Sequence, residues 1–144
     1  MSDSEPVQYR GRDGQPVDNP LGAHLHIPPF ETSEGGARME MEVETIHLRH
    51  GGVLHGGVVA TLLDTVMGVA SYTVAPKRAE VVTKQLNVNM TGSARLGERI
   101  IAEAQCVHSN RRMAVMQGTL HKADGKLLAT GSATMIFLTE GLRK

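Results

Sequence analysis

The sequence predicts an α+β fold, an antiparallel sheet laid across one long helix. Three observations carry that prediction. Residues 54–72 hold the longest helical pattern in the chain, with Val58, Val59, Leu62, Val66, Val69 and Ala70 spaced at i, i+3, i+4 and i+7. Strand-like segments separated by turn residues follow it, and a further one precedes it. The 144 residues suit a single domain, enough for one core but not two.

In order along the chain, residues 1–20 are polar and rich in Gly, Pro and Asp, and read as a flexible arm ahead of a single domain over 21–144. Residues 21–30 form a short apolar segment closed by Pro28-Pro29, expected at the edge of a sheet. Glu34-Gly35-Gly36 marks a turn, and residues 37–44 alternate apolar and charged as a half-buried strand does. Residues 47–53 link that strand to the long helix. Ala75-Pro76-Lys77-Arg78 breaks the helix.

A strand is predicted over residues 81–90. Strict alternation puts Val82, Lys84, Leu86, Val88 and Met90 on one face and Thr83, Gln85, Asn87 and Asn89 on the other. Four uncharged polar residues of one parity suit a covered, hydrogen-bonded face. After a loop over 91–97, three strands are predicted at 98–108, 112–122 and 126–138, turned at Ser109-Asn110-Arg111 and Ala123-Asp124-Gly125.

Composition narrows the function. Fifteen basic and fifteen acidic residues cancel, so no whole-chain field favours nucleic acid or an acidic membrane surface. No apolar run is long enough to span a bilayer, and the acidic N-terminus lacks a signal-peptide pattern, which predicts a cytoplasmic protein. Cys106 stands alone in an apolar strand pattern, an inert core thiol in a reducing compartment. His24 and His26 alternate, but no further ligand follows at metal spacing, so no metal is expected.

The chemistry concentrates on the helix. Asp64 is the one charged side chain between His55 and Pro76, and it lies opposite the apolar stripe beside Ala60, Gly68 and Ser71. A solvated helix face usually carries Lys, Glu, Gln or Arg. A face of small residues instead lets a backbone or ligand approach, with Asp64 partly buried. At the helix start, Gly56 and Gly57 present unshielded backbone N–H groups and the positive end of the helix dipole, a setting for a developing oxyanion.

His55-Gly56-Gly57 followed by Leu62-Leu63-Asp64, in a long helix succeeded by strands, resembles the hotdog-fold acyl-CoA thioesterases, most closely those of the PaaI, 4-hydroxybenzoyl-CoA thioesterase-like type. The resemblance extends over residues 36–138 and includes Leu54, Leu96-Gly97-Glu98 and Gly125-Lys126. It implies a hotdog fold, the helix wrapped by a curved sheet, and a homodimer pairing into a homotetramer with active sites between subunits. It implies hydrolysis of an acyl- or aryl-CoA thioester. The Gly56 N–H, with Gly57 beside it, would polarise the carbonyl. Asp64 of the neighbouring subunit would serve as general base or nucleophile, Thr83 would hold the water and His55 would orient the loop. CoA enters as part of the substrate, and no cofactor is implied.

One position departs from the family pattern. Where the resembled enzymes commonly have Asn six residues before the HGG histidine, this chain has Arg49, followed by His50. Arg49 could donate to the carbonyl, bind a carboxylate or phosphate of the ligand, or simply be a surface residue. The turn Asn110-Arg111-Arg112 corresponds to one near the CoA in that family, and these residues join Arg49 and His50 as candidate ligand contacts. Two other readings share the fold: a non-catalytic binder of CoA or acyl groups, and a hydroxyacyl-thioester dehydratase, whose HFPG-type loop is missing here.

Overall fold

The computed structural model describes residues 8–10 and 16–139, with side chains from residue 19. The chain runs β1 (Gln8–Arg10), β2 (Pro16–Asp18), α1 (Pro20–His24), β3 (Glu31–Ser33), β4 (Gly36–Glu42), a 3-10 turn η1 (Thr45–His47), α2 (Gly56–Tyr72), β5 (Glu80–Met90), β6 (Arg99–Ser109), β7 (Met113–Lys122) and β8 (Leu127–Leu138). Most of the arm expected over 1–20 lies outside the described residues. Within it β1 and β2 pair antiparallel, Tyr9 opposite Val17.

The remaining strands form one antiparallel sheet in the order β3-β4-β6-β7-β8-β5, with α2 packed across it. This is the α+β hotdog architecture. The helix buries Val58, Val59, Leu62, Leu63, Val66, Met67, Val69 and Ala70 against Met39, Met41, Ile100, Met116, Leu120, Leu128 and Met135 of the sheet. The sheet has bare patches where the helix comes closest. A Cβ on Gly118 would stand 3.2 Å from Met67 Cγ, and one on Gly131 3.2 Å from Met67 Cε. The bare glycines let those two strands take the Met67 and Leu63 side chains at close range, where an added Cβ would have to push them back by a few tenths of an ångström.

Two sequence expectations are corrected. The segment 21–30 is not a sheet-edge element at its start. Pro20 opens a short helix there, and the Asn19 side chain accepts the Gly22 N–H at 3.1 Å. Asn followed by Pro is a helix start, the side chain capping and the ring presetting φ. The sheet edge comes afterwards, at β3, with Thr32 opposite Ala37.

The second correction bears on the site. Strict alternation along β5 fails because the register slips between Thr83 and Gln85: Thr83 pairs with Met135 and Gln85 with the next residue, Thr134. Lys84 is thus the extra residue of a β-bulge. Met135 and Ala133 are buried while Thr134 is half-buried, so Thr83 shares the helix-facing side with Leu86, Val88 and Met90. Gln85, Asn87 and Asn89 point the other way and are exposed in the single chain, not covered.

Candidate functional site

The site begins with the turn before α2. Arg49 N donates to Val53 O at 2.8 Å, Gly52 N to Arg49 O at 3.1 Å, and Leu48 bridges Leu54, closing a tight hairpin. Leu54 N donates to Ala94 O and His55 N to His47 O, both at 2.8 Å, which fastens the hairpin to the rest of the domain. His55 then caps the helix with its ring: Nδ1 accepts the Gly57 N–H at 2.7 Å. An amide can only donate, so Nδ1 is bare and Nε2 carries the proton of the neutral ring. The Val58 and Val59 N–H groups go to His55 O at 2.9 and 3.1 Å. Among the described residues, the Gly56 N–H has no partner and is the free donor of this terminus.

Gly57 and Gly56 therefore differ. The Gly57 N–H is occupied by the His55 ring, and the Gly56 N–H is left without a partner among the described residues. Over Gly56 lies Met90, whose Sδ would stand 3.2 Å from a Cβ at that position. Met90, at the end of β5, is 53% exposed in the single chain.

Asp64 sits on the half-buried side of α2 with Ala60 and Gly68. Thr83 Oγ1 lies 2.7 Å from Asp64 Oδ1 and donates to it. The bulge at Lys84 makes this contact possible, because it keeps Thr83 facing the helix while the apolar residues beyond it do the same. With its O–H directed at the carboxylate, the Thr83 oxygen keeps lone pairs that can accept from a water. Asp64 and Thr83 are thus brought together within one chain. Gly56 is not: eight residues separate it from Asp64 on the same helix, about 12 Å along the axis at ~1.5 Å per residue.

The remaining candidates lie apart. Arg49 is exposed and turned onto its own hairpin, Nη1 donating to His50 O at 2.7 Å. Asn110 organises its turn, Oδ1 accepting from Arg112 N at 2.9 Å and Met113 N at 3.1 Å. Arg111 and Arg112 are exposed there. The register from Thr83 through Met135 and Ala114 to Ser109 puts this turn at the Asp64 end of the sheet, away from Met90 and Gly56. His26 pairs with Glu44 at 3.2 Å. Among the described residues no three His, Cys, Asp or Glu side chains are grouped to hold a metal ion, and no helix is long and apolar enough to cross a membrane.

Two features of the site carried no sequence signal that was read. The bulge has no mark in a period-two pattern. His47, wholly buried, looks like any linker histidine, although its spacing from Glu44 is that of an N-cap residue and its N3 partner.

Sequence and structure comparisons give the family and the fold. Residues 51–129 match the profile of the thioesterase superfamily. Human acyl-coenzyme A thioesterase 13 is 35% identical over 109 residues, covering 75% of this chain and 77% of the human one. A Streptococcus mutans protein solved bound to acetyl CoA is 27% identical with a TM-score of 0.71, covering 80% of this chain and 91% of that one. The Escherichia coli PaaI protein from the phenylacetic acid degradation operon shares the fold, with a TM-score of 0.76 at 20% identity over 84% of this chain and 86% of its own.

Proposed function

Since this chain belongs to the thioesterase superfamily, among the hotdog acyl-CoA thioesterases, and is a thioester hydrolase, we propose that it is of the PaaI type and hydrolyses an acyl- or aryl-CoA with Asp64 as the base or nucleophile and the Gly56 N–H as oxyanion donor. The observation that carries this reading is the 2.7 Å bond from Thr83 Oγ1 to Asp64 Oδ1. It fixes a lone helical carboxylate and leaves a hydroxyl oxygen beside it to receive water.

Because Gly56 and Asp64 of one chain are two turns apart, the reacting carbon is shared by two copies. The Gly56 amide of one meets the carbonyl oxygen, and Asp64 of the other faces the carbon. Strand β5 is suited to the seam. It pairs with β8 on one side only and leaves Val82, Leu86 and Met90 exposed by 40, 37 and 53%. Two such pairs associate into a tetramer.

As general base, Asp64 takes a proton from the water that attacks the carbonyl carbon; the C–S bond breaks and the CoA sulfur leaves, receiving that proton. As nucleophile, the carboxylate attacks the carbonyl carbon and expels the CoA thiolate; water then opens the resulting anhydride, frees the acid, restores the carboxylate and supplies the proton that the thiolate takes up. The unpaired Gly56 amide stabilises the oxyanion in either route, His55 holds the turn, and Gly57 allows the ring to reach its N–H. Arg111 and Arg112, on the turn set by Asn110, lie at the Asp64 end and meet the CoA phosphates, with Arg49 and His50 contributing from the other copy. No cofactor takes part.

The test is a panel of acyl- and aryl-CoA thioesters assayed with a thiol reagent, for the wild type and Asp64→Asn. Turnover abolished by the substitution with CoA binding retained supports the enzyme reading. The Arg49 guanidinium is turned onto its own hairpin, so the carbonyl is left to the Gly56 N–H, and full turnover by Asp64→Asn would overturn the role given to Asp64.

A further inference from the structure

Among the described residues, two polar side chains are wholly buried, His47 and Ser71. Ser71 closes on its own helix, its hydroxyl donating to Gly68 O at 2.7 Å. His47 instead reaches across the domain. Its Nε2 lies 2.6 Å from Leu25 O, beyond the end of α1, and its Nδ1 accepts the Glu44 N–H at 2.9 Å. A carbonyl only accepts and an amide only donates, so both partners select one tautomer of the ring, with the proton on Nε2. The His47 carbonyl in turn accepts the His55 N–H at 2.8 Å.

These bonds form a chain of support that ends at the free amide. The imidazole is held at both nitrogens, which fixes its backbone. That backbone holds the N–H of His55, whose own ring caps Gly57 at 2.7 Å. Gly56 lies between these two fixed points, and its N–H direction follows from them. A buried histidine used only to fill space would not need both ring nitrogens matched or its carbonyl joined to the cap residue. We propose that His47 is a positioning residue for hydrolysis: it sets the aim of the Gly56 N–H through His55, without touching substrate. The inference rests on the oxyanion role given to Gly56 above.

The test compares His47→Ala and His47→Gln in the full chain, since a glutamine amide keeps one donor and one acceptor. Steady-state kinetics on a hydrolysed acyl-CoA are measured at a temperature where circular dichroism shows each variant folded, with Asp64→Asn as a parallel control. For His47→Ala, kcat falls about 10- to 100-fold, less than the loss of a whole oxyanion donor, while KM changes by less than about threefold. His47→Gln recovers most of kcat, and its Gly56 amide keeps its wild-type NMR resonance. If His47→Ala does not fold, the glutamine variant decides alone: a folded His47→Gln with wild-type Gly56 resonance but kcat as low as expected for alanine overturns the proposal. So does a folded His47→Ala with wild-type kcat. Loss of activity in Asp64→Asn alongside an unaffected His47→Ala would remove the positioning role and leave the hydrolytic reading standing. Full activity in Asp64→Asn would remove the role given to Asp64, and the His47 variants would still decide the positioning role.

Discussion

Replacing Gly57 with alanine should separate stability from catalysis. A Cβ at residue 57 would stand 2.9 Å from His55 Nδ1 and 3.0 Å from His55 Cε1, closer than these atoms can rest. The imidazole is the part that must yield, and in moving it gives up its bond to the Gly57 N–H. Loss of a side-chain N-cap costs about 1 kcal/mol. Alanine in place of glycine within a helix returns about 0.8–1 kcal/mol. The two nearly cancel, so the melting temperature should stay within about 3 °C of the wild type, given ~2–4 °C per kcal/mol at this size. The rate should not stay. With the His55 ring displaced, the turn carrying Gly56 loses a fixed point, and kcat should fall by about tenfold or more. Gly56→Ala is the stability control. Its Cβ meets the flexible end of Met90, Sδ at 3.2 Å and Cε at 3.3 Å, and the cap survives, so its melting temperature should rise by about 2–4 °C. Differential scanning calorimetry and a thiol-release assay on the same preparations decide the matter. Wild-type kcat in Gly57→Ala would refute the coupling of cap to amide. Equal melting temperatures in both variants would refute the claim that the imidazole is what moves.

Two more outcomes are expected. Thr83→Val keeps the shape but removes the hydroxyl bound to Asp64 at 2.7 Å; a hydrogen bond to a charged group is worth about 1.5–3 kcal/mol, so kcat should drop about 10- to 100-fold with little change in thermal unfolding, and an unchanged kcat would remove Thr83 from the mechanism. Glu98 is held below the ordinary glutamate range first by the Arg95 N–H at 2.7 Å and then by Lys122 at 2.9 Å. A depressed carboxylate contributes stability above its unfolded value, about 4.3, and loses it as pH falls through its lower folded value. Glu98→Gln should therefore flatten the acid limb of a melting-temperature profile below that range and leave its neutral limb parallel to the wild type.

The central helix was legible because six apolar residues, Val58, Val59, Leu62, Val66, Val69 and Ala70, repeat on one face and a single acid interrupts the other. The strand after it was only half legible. Its existence followed from alternation, but the faces did not, because an inserted residue such as Lys84 leaves a period-two pattern looking unbroken. The same limit hid the contact of Thr83 with Asp64, which depends on that bulge; only the family resemblance pointed at Thr83. The short helix α1 carried its start signal openly in Asn19-Pro20, yet its five residues are too few to show a period beside Pro28-Pro29. His47 was illegible for another reason. Its partners, Leu25 O and Glu44 N, are backbone atoms, and no residue type announces which main-chain groups will converge on a ring.

The glycines beneath the helix have a cost that protein engineers would meet. Gly118 and Gly131 receive Met67 and Leu63, and the latter is the immediate neighbour of Asp64. A routine stabilising sweep that exchanges strand glycines for bulkier residues would wedge α2 upward and roll it about its axis. At about 100° per residue, even a small roll carries the acid away from its hydroxyl partner. Two of the smallest residues in the floor thus act as the keyway that sets where the Asp64 carboxylate stands, from the opposite side of the helix.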